Sequence, residues 1–250
     1  MGNDLLVNFG MPQSKLSFGT GKVENYFEKC NRKFEEEKAR QEAEKARKEA
    51  EKQAKQQFEQ RTKAITSIIE EDPNVPKTVN KTELALAIIK NAQIVGVDPL
   101  LLACICKKES HFNQTLGNGL TQVTSIVTQD MYQRAGLFDE HLNKLISQYK
   151  SLDNVFAAKN ANPKLDLGDF GEMLYKYRTP AKLFQALQKD SDLNLRCGAY
   201  TIRFQLNQHN GNVRTALEEY NTTANKKSYA NKIIGYMENA KALVRLNVYY

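Results

Sequence analysis

The chain has 250 residues, 36 of them Lys or Arg and 29 Asp or Glu, giving a formal charge of +7, and 41% of its residues are hydrophobic. That balance fits one or two water-exposed domains. No run reaches the roughly 18 consecutive apolar residues of a membrane span, and Met1-Gly2-Asn3-Asp4-Leu5-Leu6 lacks a secretory signal's basic and apolar regions and has Leu6 where myristoylation wants Ser or Thr.

The opening stretch, residues 1–23, is rich in Gly, Asn, Ser and Lys without a sustained period, which predicts an extended or disordered arm. Gly19-Thr20-Gly21-Lys22 looks briefly like a phosphate loop. It fails because Leu16 stands where that loop needs Gly, and Val23 replaces the Ser or Thr that holds magnesium. Residues 24–72 are dominated by Glu, Lys, Arg, Ala and Gln, the composition of a long solvated helix supported by opposite charges three and four apart. Its apolar stripe, Phe27, Phe34, Ala39, Ala43, Ala46, Ala50, Ala54 and Phe58, has near-coiled-coil spacing but is mostly alanine. A rigid spacer and a weak coiled coil fit it equally. Pro73 and Pro76 then end the helix.

Residues 1–72 carry 14 basic and 14 acidic side chains, and the remainder 22 and 15, so the whole positive excess lies in the back. An anionic partner is expected there, with nucleic acid and a bacterial cell wall as candidates. No nucleic-acid reader motif accompanies the scattered charge, so specific nucleic-acid recognition is not expected. Residues 77–250 read as almost wholly helical. Expected helices include one bearing Leu84, Ile88, Ile89 and Ala92 and the next bearing Leu101, Leu102 and Ile105. Others are expected near 143–149, 180–188, 193–208, 213–220 and 228–244. The predicted fold class is therefore mainly α. Cys30, Cys104, Cys106 and Cys197 form no CxxC pair and have no histidine at ligand spacing, which predicts reduced, mostly buried thiols and no metal or cofactor.

The most informative segment runs from Val97 to Asn113. Asp98 is placed to cap a helix and Pro99 to occupy its first turn. Steps of four put Leu101, Ile105 and Glu109 on one face, so the Glu109 carboxyl lies along an apolar stripe at the negative end of the helix. Both effects disfavour the carboxylate and suit a general acid near neutral pH. The competing reading is a solvated terminal charge.

The stretch Gly96-Val97-Asp98-Pro99 with Glu109-Ser110-His111-Phe112-Asn113 resembles the soluble lytic transglycosylases, whose domain is lysozyme-like. Gly119-Leu120-Thr121-Gln122-Val123 is similar to their Gly-Leu-Met-Gln turn, with Thr121 replacing Met. Asn194-Leu195 resembles their Asn-Leu helix. His209-Asn210-Gly211-Asn212 and Ala216 to Asn221 resemble their Gly-Asn and Ala-Tyr-Asn segment, and Ser228 to Ile233 their closing helix. The likeness covers roughly residues 80–240 in motif order.

It implies that the long charged helix is followed by a lysozyme-like domain at 77–250, and that this domain cleaves peptidoglycan between N-acetylmuramic acid and N-acetylglucosamine without water. Glu109 would be acid and then base, so no second carboxylate is required, and none lies between Glu109 and Asp130. Ser110 would orient Glu109, Gln122 and the turn at Gly119 would contact the sugar, and Leu120 would support the site or bind substrate. Tyr220 would place its hydroxyl beside the carboxyl, Tyr229 would line the cleft, and Asn221 would support the site, more as a turn or capping residue. Two departures stand out: only ten positions separate Glu109 from Gly119, and 124–192 is an enlarged insertion, either an added lobe or a docking surface. The rival functions are a hydrolytic lysozyme, with Asp130 or another carboxylate activating water, and a structural virion or secretion-channel protein. The substrate lies outside the cytoplasm and no export signal is evident. The expectation is thus a bacteriophage virion protein, bound to a tail or internal core through residues 1–72 and acting in the host wall or periplasm.

Overall fold

In the computed structural model the backbone is described for residues 20–221 and 224–246, and side chains for 28–221 and 224–242. Among these residues there are twelve helices and no strand, so the chain is mainly α as expected. They are α1 (Thr20–Glu70), α2 (Lys81–Val95), α3 (Pro99–Ser110), α4 (Ser125–Gln133), α5 (Ala135–Phe138) and α6 (Glu140–Tyr149). They continue as α7 (Leu152–Ala161), α8 (Gly168–Tyr177), α9 (Pro180–Leu187), α10 (Ser191–Gln208), α11 (Val213–Tyr220) and α12 (Lys226–Leu246). The arm expected at 1–23 lies outside the described residues up to 19. Residues 20–23 already belong to α1.

The chain divides into two compact units, Met1–Gln56 and Gln57–Tyr250. In the first, residues 28–56 are exposed throughout. Neighbouring turns are tied by Arg32–Glu36, Glu44–Lys48 and Arg47–Glu51 pairs at 3.7, 2.8 and 3.4 Å. Each such pair contributes about 0.3–0.5 kcal/mol. Phe34 is 70% exposed, and the alanines of the expected seam are exposed with it.

The second unit begins inside α1, not after the prolines. Ala64, Ile65, Ile68 and Ile69 recur at helical spacing and are buried in the core, so the last turns of α1 belong to the globular unit. This core is organised around the two faces of α10. Leu195, Ala199 and Ile202 pack with α2, α3, α11 and α12, while Leu193, Cys197 and Tyr200 pack with the helices between α4 and α9. A polar set locks α2 to α10: Asp192 accepts from Lys90 Nζ at 2.8 Å and Asn91 Nδ2 at 3.1 Å, and Arg196 Nε donates to Asn91 Oδ1 at 3.1 Å.

The insertion at 124–192 is a folded helical lobe with its own hydrophobic cluster, including Met131, Phe138, Leu142, Val155, Phe170 and Leu183. Helices α6 and α7 start on side-chain caps: Asp139 Oδ1 accepts from Leu142 N at 2.7 Å and Ser151 Oγ from Asn154 N at 3.1 Å. Cys104, Cys106 and Cys197 are buried free thiols, and Cys30 is an exposed one.

Candidate active site

Helix α3 starts as its sequence requires. Asp98 is extended and accepts from Leu100 N at 2.9 Å, and Pro99 fills the first turn. Seven of its residues from Pro99 to Cys106 are fully buried. Its end is tightly folded, because His111 and Phe112 both adopt positive φ, 51° and 59°. Two consecutive left-handed residues that are not glycine cost roughly 1 kcal/mol or more each and must be held by their surroundings. Phe112 is held by complete burial in the core.

Glu109 is half-buried one residue before the end of this helix. Desolvation raises its pKa above the ordinary carboxyl value, opposed in part by a hydrogen bond from Tyr229 and by the Lys108 charge. The Tyr229 hydroxyl on α12 donates to Glu109 Oε1 at 2.5 Å. Burial first, and then the neighbouring Tyr220 and Glu109, keep the Tyr229 phenol protonated and so a donor. Its ring stacks on Tyr220 with centroids 6.4 Å apart, and Lys108 Nζ lies 5.5 Å from its centroid.

Of the two tyrosines, Tyr229, expected to line the cleft, bonds the carboxyl, while Tyr220 lies near enough to feel the Glu109 charge but bonds elsewhere. Tyr220 donates to Thr121 O at 3.1 Å, and Tyr229 is the one that meets the carboxyl. Tyr220 supports the site by holding the following turn and stacking on Tyr229. Its phenol is pushed well above the usual range by burial and then by Glu109 and Cys106.

That turn, residues 113–122, is built from its own polar groups. Gly119 has φ +85°, and a Cβ there would lie 2.5 Å from Asn194 Nδ2. The buried Asn194 side chain accepts from Thr121 N at 2.9 Å and Thr121 Oγ1 at 2.8 Å, and donates to Asn118 O at 2.7 Å. Thr121 can reach α10 because residue 198 is glycine, where a Cβ would stand 2.5 Å from its side chain. Gln122 Nε2 donates to Leu116 O at 2.6 Å and Gly119 O at 2.7 Å, so its amide is spent on the loop.

The expected orientation of Glu109 by Ser110 is indirect. The buried Ser110 hydroxyl donates to Leu120 O at 2.9 Å and Cys106 O at 3.1 Å, tying the end of α3 to the turn. Leu120 is fully buried in the core, the position of a residue that supports the turn. Asn221 follows α11 and donates its backbone N–H to Leu217 O, a helix-ending position as expected. The sequence reading missed the clamping role of Asn194, the tolerance at Gly198 and the Tyr229 contact. The Asn-Leu motif was a signal for the first.

Two concavities that share Gln114, Thr115 and Ser191 in their linings adjoin the turn. One of about 470 Å³ is lined by Asn80, Glu83, Asn113, Gln114, Thr115 and Ser191 among others. One of about 120 Å³ reaches Gly119 and Asn194. Neither includes Glu109. A third, of about 500 Å³, lies at Gln60, Arg61, Ile65, Pro99 and Lys241. It adjoins the opposite end of α3, ten residues or about 15 Å of helix from Glu109. Chemically, Glu109 with Tyr229 can give and take one proton at a part-buried position.

No protein-family model, no curated protein and no solved structure matches the chain.

Proposed function

We propose that the chain is a peptidoglycan lytic transglycosylase. Glu109 protonates the glycosidic oxygen between N-acetylmuramic acid and N-acetylglucosamine, and the bond to the anomeric carbon breaks. The sugar's acetamido group stabilises the cation-like centre. Glu109, now a carboxylate, takes the proton of the C6 hydroxyl as that oxygen closes a 1,6-anhydro ring, so water is not consumed. The observation that carries this reading is the Glu109 carboxyl itself, with its pKa raised by burial and a buried tyrosine hydroxyl on its Oε1. The ordered motifs around Glu109, Gly119, Asn194 and Tyr220 support the same reading.

The proposal extends to delivery: a bacteriophage particle carries the enzyme to the host wall, with residues 1–72 as its attachment to a tail or internal core. The exposed, charged residues 28–56 support this by leaving a whole helical surface available. Digestion of purified peptidoglycan by wild type and Glu109→Gln tests the chemistry. Anhydro-ended muropeptides from wild type alone are expected. Reducing ends carrying oxygen from labelled water would replace the proposal with hydrolysis, and equal digestion by both would remove Glu109 from it. Mass spectrometry of purified particles tests the delivery, and absence of the chain from them would overturn it.

A further inference from the structure

Asp72 stands just after α1, in the segment whose prolines end that helix. It is the one charged residue among the fully buried polar side chains of the described residues. Its side chain is 1% exposed, and its oxygens lie 3.0 and 3.2 Å from His111 Nδ1. Oδ1 also accepts from Asn74 N at 3.0 Å. A buried carboxyl needs hydrogen-bond partners, so removing the ring beside it leaves a buried polar group short of one. The histidine has little other tie to the fold, its side chain being 46% exposed.

His111 is the residue at which α3 stops. Its N–H reaches back to Lys107 O at 3.2 Å, that of Phe112 to Cys106 O at 3.5 Å, and that of Asn113 to Ser110 O at 2.9 Å. The left-handed pair His111-Phe112 therefore sets the path of the chain two residues after Glu109. Core burial accounts for Phe112, and the Ser110 hydroxyl secures the turn to Leu120. Histidine enters the left-handed well more often than most residues but still meets a steric cost there that glycine does not. The contact with Asp72 supplies the missing restraint.

We infer that Asp72 and His111 form a positioning pair that holds the last turn of α3, and with it the Glu109 carboxyl, against the Tyr229 hydroxyl. The inference rests on the reading of Glu109 as the acid. It goes beyond that reading by adding a restraint from the segment after α1, 39 positions away in sequence. Asp72 and His111 act through the backbone of residues 109–112 and touch no reacting atom. A purely structural contact would affect folding stability and leave the proton affinity of the Glu109 carboxyl and turnover unchanged.

The test uses the full chain and His111→Ala, which removes an exposed ring and spares the core. His111→Asn is the conservative control. Its amide stands at the same bond distance from Cβ as Nδ1, can donate to Asp72, and belongs to a residue that tolerates left-handed φ. Turnover of soluble glycan chains and the pH midpoint of the Glu109 carboxyl ¹³C resonance, followed without substrate, are the two readouts. His111→Ala is expected to lower kcat by about tenfold with KM nearly unchanged, the scale of a sub-ångström misplacement, and to move the midpoint. His111→Asn should restore both. A midpoint and kcat unchanged in His111→Ala, or a changed melting temperature alone, would overturn the pair. If wild type digests no glycan while the midpoint still moves, the pair stands as a positioning device and the enzymatic proposal falls.

Discussion

The Tyr229 hydroxyl lies 2.5 Å from Glu109 Oε1, although 120 positions separate the two residues in the chain. This contact works against burial. The phenol stabilises the charged form of the carboxyl while desolvation stabilises the neutral one, and desolvation is the larger effect. The result is an acid that holds its proton above the ordinary carboxyl range yet has a partner ready for the carboxylate it becomes.

Tyr229→Phe should therefore raise the pKa of Glu109 further, because the loss of the donor leaves desolvation less opposed. A hydrogen bond to a charged group contributes about 1.5–3 kcal/mol, equivalent to about tenfold to a hundredfold in rate if the carboxylate is the species needed late in the reaction. A pH–rate profile of glycan cleavage checks this. The limb assigned to Glu109 should move to higher pH with a lower plateau, and a shift to lower pH would contradict the assigned balance.

The same displaced titration makes stability depend on pH. The folded chain holds the Glu109 proton above 4.5, the ordinary value at which the unfolded chain releases it. Between those two values the folded state binds more protons, so this contribution is fully present below the unfolded pKa and is lost as pH rises through the folded one. Glu109→Gln is neutral at every pH and keeps an oxygen for the Tyr229 hydroxyl. The melting temperature of Glu109→Gln relative to wild type should therefore be higher at pH 7 than at pH 4, and a difference independent of pH would contradict the raised pKa.

What could be read in the sequence follows the range of the forces involved. Helix α3 and the placement of Glu109 were legible because capping by Asp98, proline in the first turn and a four-residue period are local effects. The choice between Tyr220 and Tyr229 was not, since both sit at helical positions and the one that reaches Glu109 is set by how α11 and α12 cross α3. Helices α4, α5, α7 and α8 were hidden by their shortness and by Asn162-Pro163 and Gly168, which read as loop. The burial of Ile65, Ile68 and Ile69 was masked by the charged composition upstream, although their spacing is helical. Asp72 reads as part of a helix stop, and only the folded chain brings His111 to it.

Gly119 should not accept a side chain. Alanine there would have to adopt φ +85° and place its Cβ 2.5 Å from Asn194 Nδ2, which is already committed to Asn118 O. Displacing the Asn194 side chain would also leave the buried Thr121 N without its acceptor, while Thr121 Oγ1 keeps Asn194 O at 3.1 Å. Left-handed strain and one lost buried hydrogen bond together cost about 2–4 kcal/mol. Urea denaturation of Gly119→Ala should show that loss, and a change below 0.5 kcal/mol, on the order of a neutral surface substitution, would mean that the turn rearranges without cost.

The boundary of the globular unit can be placed by truncation. A chain of residues 57–250 keeps Ile65, Ile68 and Ile69, each no more than 3% exposed, whereas one starting at 77 loses them together with Asp72. Each fully buried isoleucine contributes about 1.5–3 kcal/mol, so the three amount to roughly 5–9 kcal/mol, most of the usual stability of a domain. Removing them would also uncover apolar surface of the cluster they share, leaving it open to association. The 57–250 chain should melt cooperatively near the temperature of the full chain. The 77–250 chain should melt far lower or without cooperativity by circular dichroism, because the residues that read as the end of a spacer are part of the core that holds α3. Equal melting of the two fragments would place the boundary after the prolines and leave the three isoleucines without an energetic role.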